Sequence, residues 1–292
     1  MTSVPTPPEV SVVVVSWNTR DLTLACLRSV VAAVPAGSPS VEVILVDNAS
    51  SDDTVEAVTS SLAPVRVIRL DENVGFARAA NRGIAETSGR LVLLVNSDAD
   101  LSGDSIARLS AILDARPEAG AVGAALVGPD GELQFSCGRF LNPVNQCAES
   151  LGLSKLVHVS WLRRTYASSE LRGEAVTVDW CVGACLMIRR SALDDVGVFD
   201  ERFFMYSEDE DLCLRLHRRG WTVLHAPNVT VAHLGGGSAR RVLDRMRSEA
   251  RASQNAFMRK HFGVLSALSF RMLMALARLK PRRDDETVGW GR

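Results

Sequence analysis

The chain has 292 residues, of which 47% are hydrophobic and 23% charged. That balance excludes a disordered or fibrous chain and suffices for one large α/β domain or two smaller ones. A net charge of −1 removes the general electrostatic case for nucleic acid as a partner.

Residues 1–9 carry Pro5, Pro7 and Pro8 and no basic apolar leader, so they read as a disordered tail rather than a signal peptide. Val10 to Val15 is a buried strand ending in Ser16-Trp17-Asn18, and Thr19 or Asp21 is placed to cap a helix running to about Val34. After a Pro/Gly turn, Val41 to Val46 forms a second strand that stops at Asp47-Asn48-Ala49-Ser50. A short helix begins at Thr54. Val65 to Leu70 is a third strand, followed by the loop Asn73-Val74-Gly75-Phe76 and a helix over Ala77 to Glu86. Leu91-Val92-Leu93-Leu94-Val95 is apolar without interruption, the pattern of a central strand covered on both faces, and its polar groups collect at the carboxyl end as Asn96-Ser97-Asp98-Ala99-Asp100. Strand and helix thus alternate with short links, which predicts a doubly wound, mostly parallel sheet.

Ser102 to Ala115 reads as the next helix and Ala121 to Val127 as a strand. From Gly128 to about Glu174 periodicity weakens, as in a lid or a substrate-binding insertion. Val176 to Trp180 and Ala184 to Ile188 read as strands around Gly183. A helix follows the acids Glu208-Asp209-Glu210-Asp211 and closes at Gly220. Thr222 to His225 and Val229 to Ala232 are short strands before His233 and the glycines 235–237. Residues 239–292 are expected to form a helical, basic extension. The six cysteines (Cys26, Cys137, Cys147, Cys181, Cys185, Cys213) form no CxxC pair, and reduced, mostly buried thiols are expected. With no run of about 18 uncharged apolar residues to span a membrane, a cytoplasmic protein is expected.

Four features carry chemistry. Asp98, with Asn96 and Asp100, offers hard oxygen ligands for Mg²⁺ or Mn²⁺ where an open α/β sheet binds its ligands; capping the following helix is the alternative. Asp47, at the end of another strand, is placed to accept hydrogen bonds from a base or ribose, or to cap its loop. The small residues from Asn73 to Asn81 put backbone amides where phosphate can approach a helix start, without being a GxGxxG fingerprint. Four successive acids suit a helix amino end, and crowding also raises their pKa values, which suits a general base. His233 by itself reads as packing or surface.

In this order the pieces resemble the family 2 glycosyltransferases of GT-A fold: Val15-Ser16-Trp17-Asn18, Val46-Asp47-Asn48-Ala49-Ser50, Asn73-Val74-Gly75-Phe76-Ala77, Asn81, Asn96-Ser97-Asp98, Gly183-Ala184, Phe199-Asp200-Glu201 and Phe203-Phe204-Met205-Tyr206-Ser207-Glu208-Asp209. The resemblance runs from Ser11 to about Gly237 and is nearest to a bacterial subgroup containing rhamnosyltransferases of cell-wall and polysaccharide assembly. It implies a GT-A domain over 10–238, with a nucleotide-sugar half (10–127) and an acceptor and catalytic half (128–238). It implies inverting transfer from a nucleotide-diphosphate sugar, dTDP-rhamnose among the candidates, to a glycan or lipid-linked acceptor. Carried over, Asp209 with Glu208 beside it is the catalytic base, and Asp98 with His233 holds a divalent cation. Ser16, Asn18, Asp47, Asn73, Gly75, Phe76, Asn81, Asn96 and Ser97 line the donor, and Trp180, Gly183 and Ala184 the acceptor. Asn96 stands where the family's DxD motif has its first acid. A sugar-phosphate nucleotidyltransferase and a non-catalytic nucleotide-sugar-binding module are the alternatives. The stretch from Phe262 to Leu279, apolar but for Arg271 and Arg278 and flanked by Arg259, Lys260, His261, Lys280, Arg282 and Arg283, predicts either peripheral contact with the inner face of a membrane or packing on the domain or a second subunit.

Overall fold

The computed structural model describes residues 8–34, 40–151, 163–234 and 243–277. In chain order its elements are β1 (Val10–Ser16), α1 (Arg20–Ala32), β2 (Val41–Asp47), α2 (Thr54–Ser61), β3 (Val65–Arg69), α3 (Phe76–Ala85), β4 (Leu91–Asn96), β5 (Ala99–Leu101), α4 (Ser105–Ala115), β6 (Ala119–Val127), β7 (Cys137–Gly138), α5 (Pro143–Leu151), β8 (Val176–Val178), β9 (Trp180–Cys181), β10 (Cys185–Arg189), α6 (Arg190–Val196), α7 (Glu208–Arg218), β11 (Thr222–His233) and α8 (Leu243–Ala277).

One sheet in the order β3-β2-β1-β4-β10-β6-β11-β5 runs through both halves, with β8 also paired to β11. β1, β2, β3 and β4 are mutually parallel and β6 is parallel to β11, while β10 lies antiparallel between β4 and β6. The sheet is therefore mostly parallel, with β5, β8 and β10 reversed. Alternation along β1 divides the core: Val10, Val12 and Val14 pack on one face with Leu27 of α1 and Leu109 of α4, and Val13 packs on the other with α3 and α7. Each fully buried Val or Leu contributes roughly 1.5–3 kcal/mol.

Several expectations are corrected. Val176 to Trp180 is not one strand. At Asp179 the chain turns, because the carboxylate takes the Tyr166 hydroxyl and the Phe140 amide, and β9 pairs with β7 in a separate two-stranded sheet. The two short strands after Gly220 are one strand, β11, whose register shifts between Ala226 and Thr230, where Pro227 donates no ladder bond. α4 starts at Ser105 rather than Ser102, and α1 gets no side-chain cap from Thr19. Glu9 belongs to the fold, since its amide bonds Ser40 O and its carboxylate pairs with Arg90. The glycines 235–237, and the basic residues beyond 277, lie outside the described residues.

α8 is interrupted at Gly263, whose φ of 85° an L side chain rarely adopts. On both sides of that break it packs on the domain, burying Phe257, Met258, Ala267 and Phe270 against Leu141 and Phe203.

Candidate active site

The parallel ladder fixes which strand ends meet. Ser16 pairs with Asp47 and Val15 with Asn96, so the carboxyl ends of β1, β2 and β4 lie in one row. Asp47 is fully buried. Its Oδ2 accepts the Ser50 amide at 3.0 Å, and its Oδ1 is buried with no protein partner. A buried carboxylate oxygen in that position requires a donor from elsewhere.

The expected phosphate cradle is a correction. The amides of Val74, Gly75 and Phe76 are already used by Asn48 Oδ1, Asn73 Oδ1 and Phe204 O at 3.0, 3.0 and 2.7 Å. The small residues serve close packing instead. A Cβ on Gly83 would come within 2.4 Å of Val13 Cγ1, and one on Gly75 within 2.4 Å of Phe204 O. This segment holds the strand ends and the 203–207 loop together. Asn81 does similar work: its amide exchanges two hydrogen bonds with the backbone of Phe199, at 2.9 and 3.0 Å. The hydroxyls of Ser16 and Ser97 turn inward, joined through Thr19, and Asn18 Oδ1 accepts the Ser51 amide. Among the expected donor residues, Asp47 keeps a buried oxygen without a protein partner, and Asn96 Nδ2 reaches toward the His233 ring at 3.4 Å.

Asp98 follows β4, and His233 ends β11 opposite Ala99 of β5. Their side chains are 11% and 13% exposed, and His233 Nε2 lies 3.4 Å from Asp98 Oδ1. Asn96 Nδ2 is also 3.4 Å from that nitrogen. Two ligands of one octahedral ion, each about 2.1 Å from it, stand about 3 Å apart, so the pair has the spacing and the chemistry to hold Mn²⁺ or Mg²⁺ with diphosphate oxygens completing the shell. Among the described residues no group of three His, Cys, Asp or Glu side chains forms a metal site by itself. Asp100 lies exposed on β5.

The four acids opening α7 separate. Asp209 is half-buried, with Oδ2 accepting the Gly183 amide at 3.0 Å and Oδ1 the Glu210 amide at 2.8 Å. Burial pushes its carboxyl above the ordinary aspartate value, against the pull of those two amides. Glu208 is pushed well above its ordinary value by burial and then by the charge of Asp209, and its Oε2 is buried without a protein partner. Glu210 turns away and pairs with Arg164 at 3.0 Å, while burial pushes it to about 6. Asp211 is fully buried among Lys260, His261 and Arg215; burial alone would raise it, and their hydrogen bonds hold it below the ordinary value. The crowding inferred from sequence is thus strongest at Glu208, while Glu210 and Asp211 have basic partners.

Gly183 brings the halves of the site together. A Cβ there would be 3.8 Å from Asp209 Cβ and 4.0 Å from the Phe76 ring. The next residue, Ala184, accepts the Asn96 amide at 2.9 Å. Through Gly183 and Ala184, Asp209 is therefore tied to the carboxyl end of β4, which leads into Asp98. Trp180 takes no part in these contacts: its ring is 2% exposed, packs on Phe135 and donates from Nε1 to Arg139 O, which corrects its expected place at the acceptor.

Three residues escaped the sequence reading. Asn48 clamps the loop at Asn73. Tyr206, with φ of 70°, is pushed up to about 12 by burial and then by the charges of Glu208, Asp209 and Asp98. The Met-Tyr-Ser-Glu-Asp run was the signal for it. Gln134, which bonds the His233 ring, came from a stretch without periodicity and had no signal.

Comparison with known proteins gives the same picture. The glycosyl transferase family 2 model matches residues 11–197, and the glycosyl transferase family 21 model matches residues 143–282. The chain is 34% identical over 211 residues to an N-acetylglucosaminyl-diphospho-decaprenol L-rhamnosyltransferase of Mycobacterium tuberculosis, covering 66% of each protein. It is 27% identical over 243 residues to the O-antigen biosynthesis protein RfbC of Myxococcus xanthus, covering 80% of this chain and 18% of that one. Among solved structures it is similar to a mannosyltransferase from Pyrobaculum calidifontis in complex with GDP-Man and Mn²⁺ (TM-score 0.55, 19% identity, 94% of this chain and 82% of that one). S. aureus TarS in complex with UDP has a TM-score of 0.57 at 16% identity, over 90% of this chain and 75% of that one. At those identities the structures establish a shared fold.

Proposed function

The chain belongs to glycosyl transferase family 2 and is a glycosyltransferase, and on that premise we propose that it moves a sugar with inversion from a nucleotide-diphosphate donor to a lipid-linked acceptor. L-rhamnose from dTDP-rhamnose is the proposed donor, and an N-acetylglucosaminyl diphospholipid the proposed acceptor. The name of the mycobacterial relative supports the sugar and the acceptor.

The observation that supports the reading most is Asp209 held by the Gly183 amide, beside the Ala184 carbonyl that bonds the Asn96 amide at the end of β4, with Asp98 and His233 paired 3.4 Å apart beyond it. In this mechanism Asp47 Oδ1 accepts a hydrogen bond from the nucleotide base. The acceptor hydroxyl lies beside Gly183, where the Asp209 carboxylate takes its proton as the oxygen attacks the anomeric carbon. Attack from the face opposite the diphosphate inverts that carbon. Asp98 and His233 are the residues that would hold a divalent ion, and such an ion, when bound, neutralises charge on the departing diphosphate.

Peripheral membrane contact through α8 is part of the proposal. Beyond Gly263 the helix leaves Val264, Leu265, Leu268 and Met272 between 52% and 83% exposed, with Arg259 and Arg271 also on the surface. Among the described residues no helix is long and apolar enough to cross a membrane.

The test is to incubate the protein with dTDP-rhamnose, Mn²⁺ and a synthetic N-acetylglucosaminyl diphospholipid and to identify the phosphate product. Acceptor-dependent release of dTDP is the expected result. In a parallel incubation with dTTP and rhamnose 1-phosphate, release of pyrophosphate would identify a nucleotidyltransferase instead, and no release in either incubation or with other nucleotide-sugars would identify a binding module.

A further inference from the structure

We propose that Gln134 is a positioning residue for His233, fixing the ring tautomer that leaves Nε2 with its lone pair toward Asp98. This rests on the reading of Asp98 and His233 as the holders of a divalent cation. Gln134 lies just beyond the turn after β6, where its amide bonds Leu126 O at 2.8 Å. β11 runs along β6 and pairs Ala232 with Val127, so the chain returning through Gln134 passes beside the end of β11.

The side chain grips His233 twice. Gln134 Nε2 donates to His233 O at 3.0 Å, and Gln134 Oε1 is 2.9 Å from His233 Nδ1. These two contacts determine where the hydrogens are. A backbone carbonyl only accepts, so the amide must turn its NH₂ toward it. That leaves Oε1 facing Nδ1, and an oxygen at 2.9 Å requires a proton there. In a neutral imidazole the other nitrogen, Nε2, then carries the lone pair. Asn96 Nδ2, a donor at 3.4 Å from Nε2, agrees with that assignment. Without Gln134 the proton is free to move to Nε2, where Asp98 Oδ1 stands 3.4 Å away to accept it, and the ring can no longer act as a ligand. The backbone makes room for the clasp: a Cβ on Gly128 would come within 3.1 Å of Gln134 Nε2. Partners of this kind on the far side of a ligating His typically govern about 10- to 100-fold in metal affinity.

Two measurements test the assignment on the full chain. The first needs no metal and no variant: long-range ¹H–¹⁵N correlation of the His233 ring at pH 8. The Nδ1–H form is expected, and the Nε2–H form in the native protein would overturn the proposal. The second is Mn²⁺ binding in the presence of dTDP, and separately of UDP, followed by electron paramagnetic resonance for native protein, His233→Ala and Gln134→Leu. We expect Gln134→Leu to weaken Mn²⁺ binding at least about 10-fold while moving the ring proton to Nε2. If His233→Ala loses Mn²⁺ and Gln134→Leu keeps native affinity, the positioning role is overturned and the metal reading stands. If native protein binds no Mn²⁺ with either nucleotide, or His233→Ala binds it as well as native, the metal reading itself falls.

Discussion

Glu208, Asp209, Glu210 and Asp211 are adjacent in sequence, and each has different surroundings. Glu210 meets Arg164 and ties the stretch after Gly128 to α7, and Asp211 meets Lys260 and His261 and ties down α8. Of the four, Asp209 is the one that bonds Gly183, and Glu208 is buried beside it in the chain. The sequence marked the cluster and its match to the family marked Asp209. The division of labour depends on Arg164 and Lys260, which are 46 and 49 residues distant in the chain and carry no pattern that announces them. A pH dependence follows from the surroundings. A base works deprotonated, and burial raises the Asp209 carboxyl, with Glu208 raised beside it, so activity is lost on acidification earlier than for an ordinary aspartate of pKa 3.8. At saturating Mn²⁺, kcat/KM against pH should show an acid limb with its midpoint above the ordinary aspartate value. A profile with no acid limb above that value would remove Asp209 from the role of base.

At the scale of elements, the alternating strands and helices before Leu101 were legible because each obeys one rule: an apolar run, a polar stop and a helix. What failed involved long-range pairing. β10 inserts antiparallel between β4 and β6, and β8 and β9 part at Asp179, neither of which shows in local periodicity. The small residues of α3 were legible as small, yet their reason is contact of Gly83 with Val13 and Val46, not approach of phosphate. α8 shows the same limit. Its apolar and basic character is plain in the sequence, but Lys260 and His261 are committed to Asp211 and are not available to a lipid headgroup. The helix that carries the exposed apolar face is thereby clamped to the helix that carries Asp209. Leu265, Leu268 and Met272 share one face beyond Gly263, and burying such a face in an interface contributes roughly 25 cal/mol per Å². The full chain should float with anionic liposomes, and Leu265→Glu with Leu268→Glu should stay in the dense fraction at unchanged thermal stability. Native protein remaining unbound would reassign that face to protein packing.

The described residues are built on one main sheet, with the small β7-β9 sheet beside it, and Asp47 and Asn96 stand at the carboxyl ends of its parallel strands, where open α/β sheets bind ligands. That much was legible from Asp47 and Asp98 ending two apolar runs. The contacts that bring Asp209 to the strand ends were not, because Phe204 O accepts the Phe76 amide and Asp209 Oδ2 accepts the Gly183 amide between residues more than 20 positions apart. In the proposed function the strand ends at Asp47 and Asn96, the Asp98–His233 pair and Asp209 serve one reaction, and that proposal stands on Asp209 as the base. The most direct measurement is Asp209→Asn, with two readouts: the thermal shift given by dTDP-rhamnose with Mn²⁺, and acceptor-dependent release of dTDP. The substitution keeps the side chain's shape and forfeits at most one of its two backbone hydrogen bonds, worth about 1 kcal/mol. The account predicts a native-like thermal shift and a fall in release of about 10²- to 10⁴-fold. Near-native release from Asp209→Asn would contradict it.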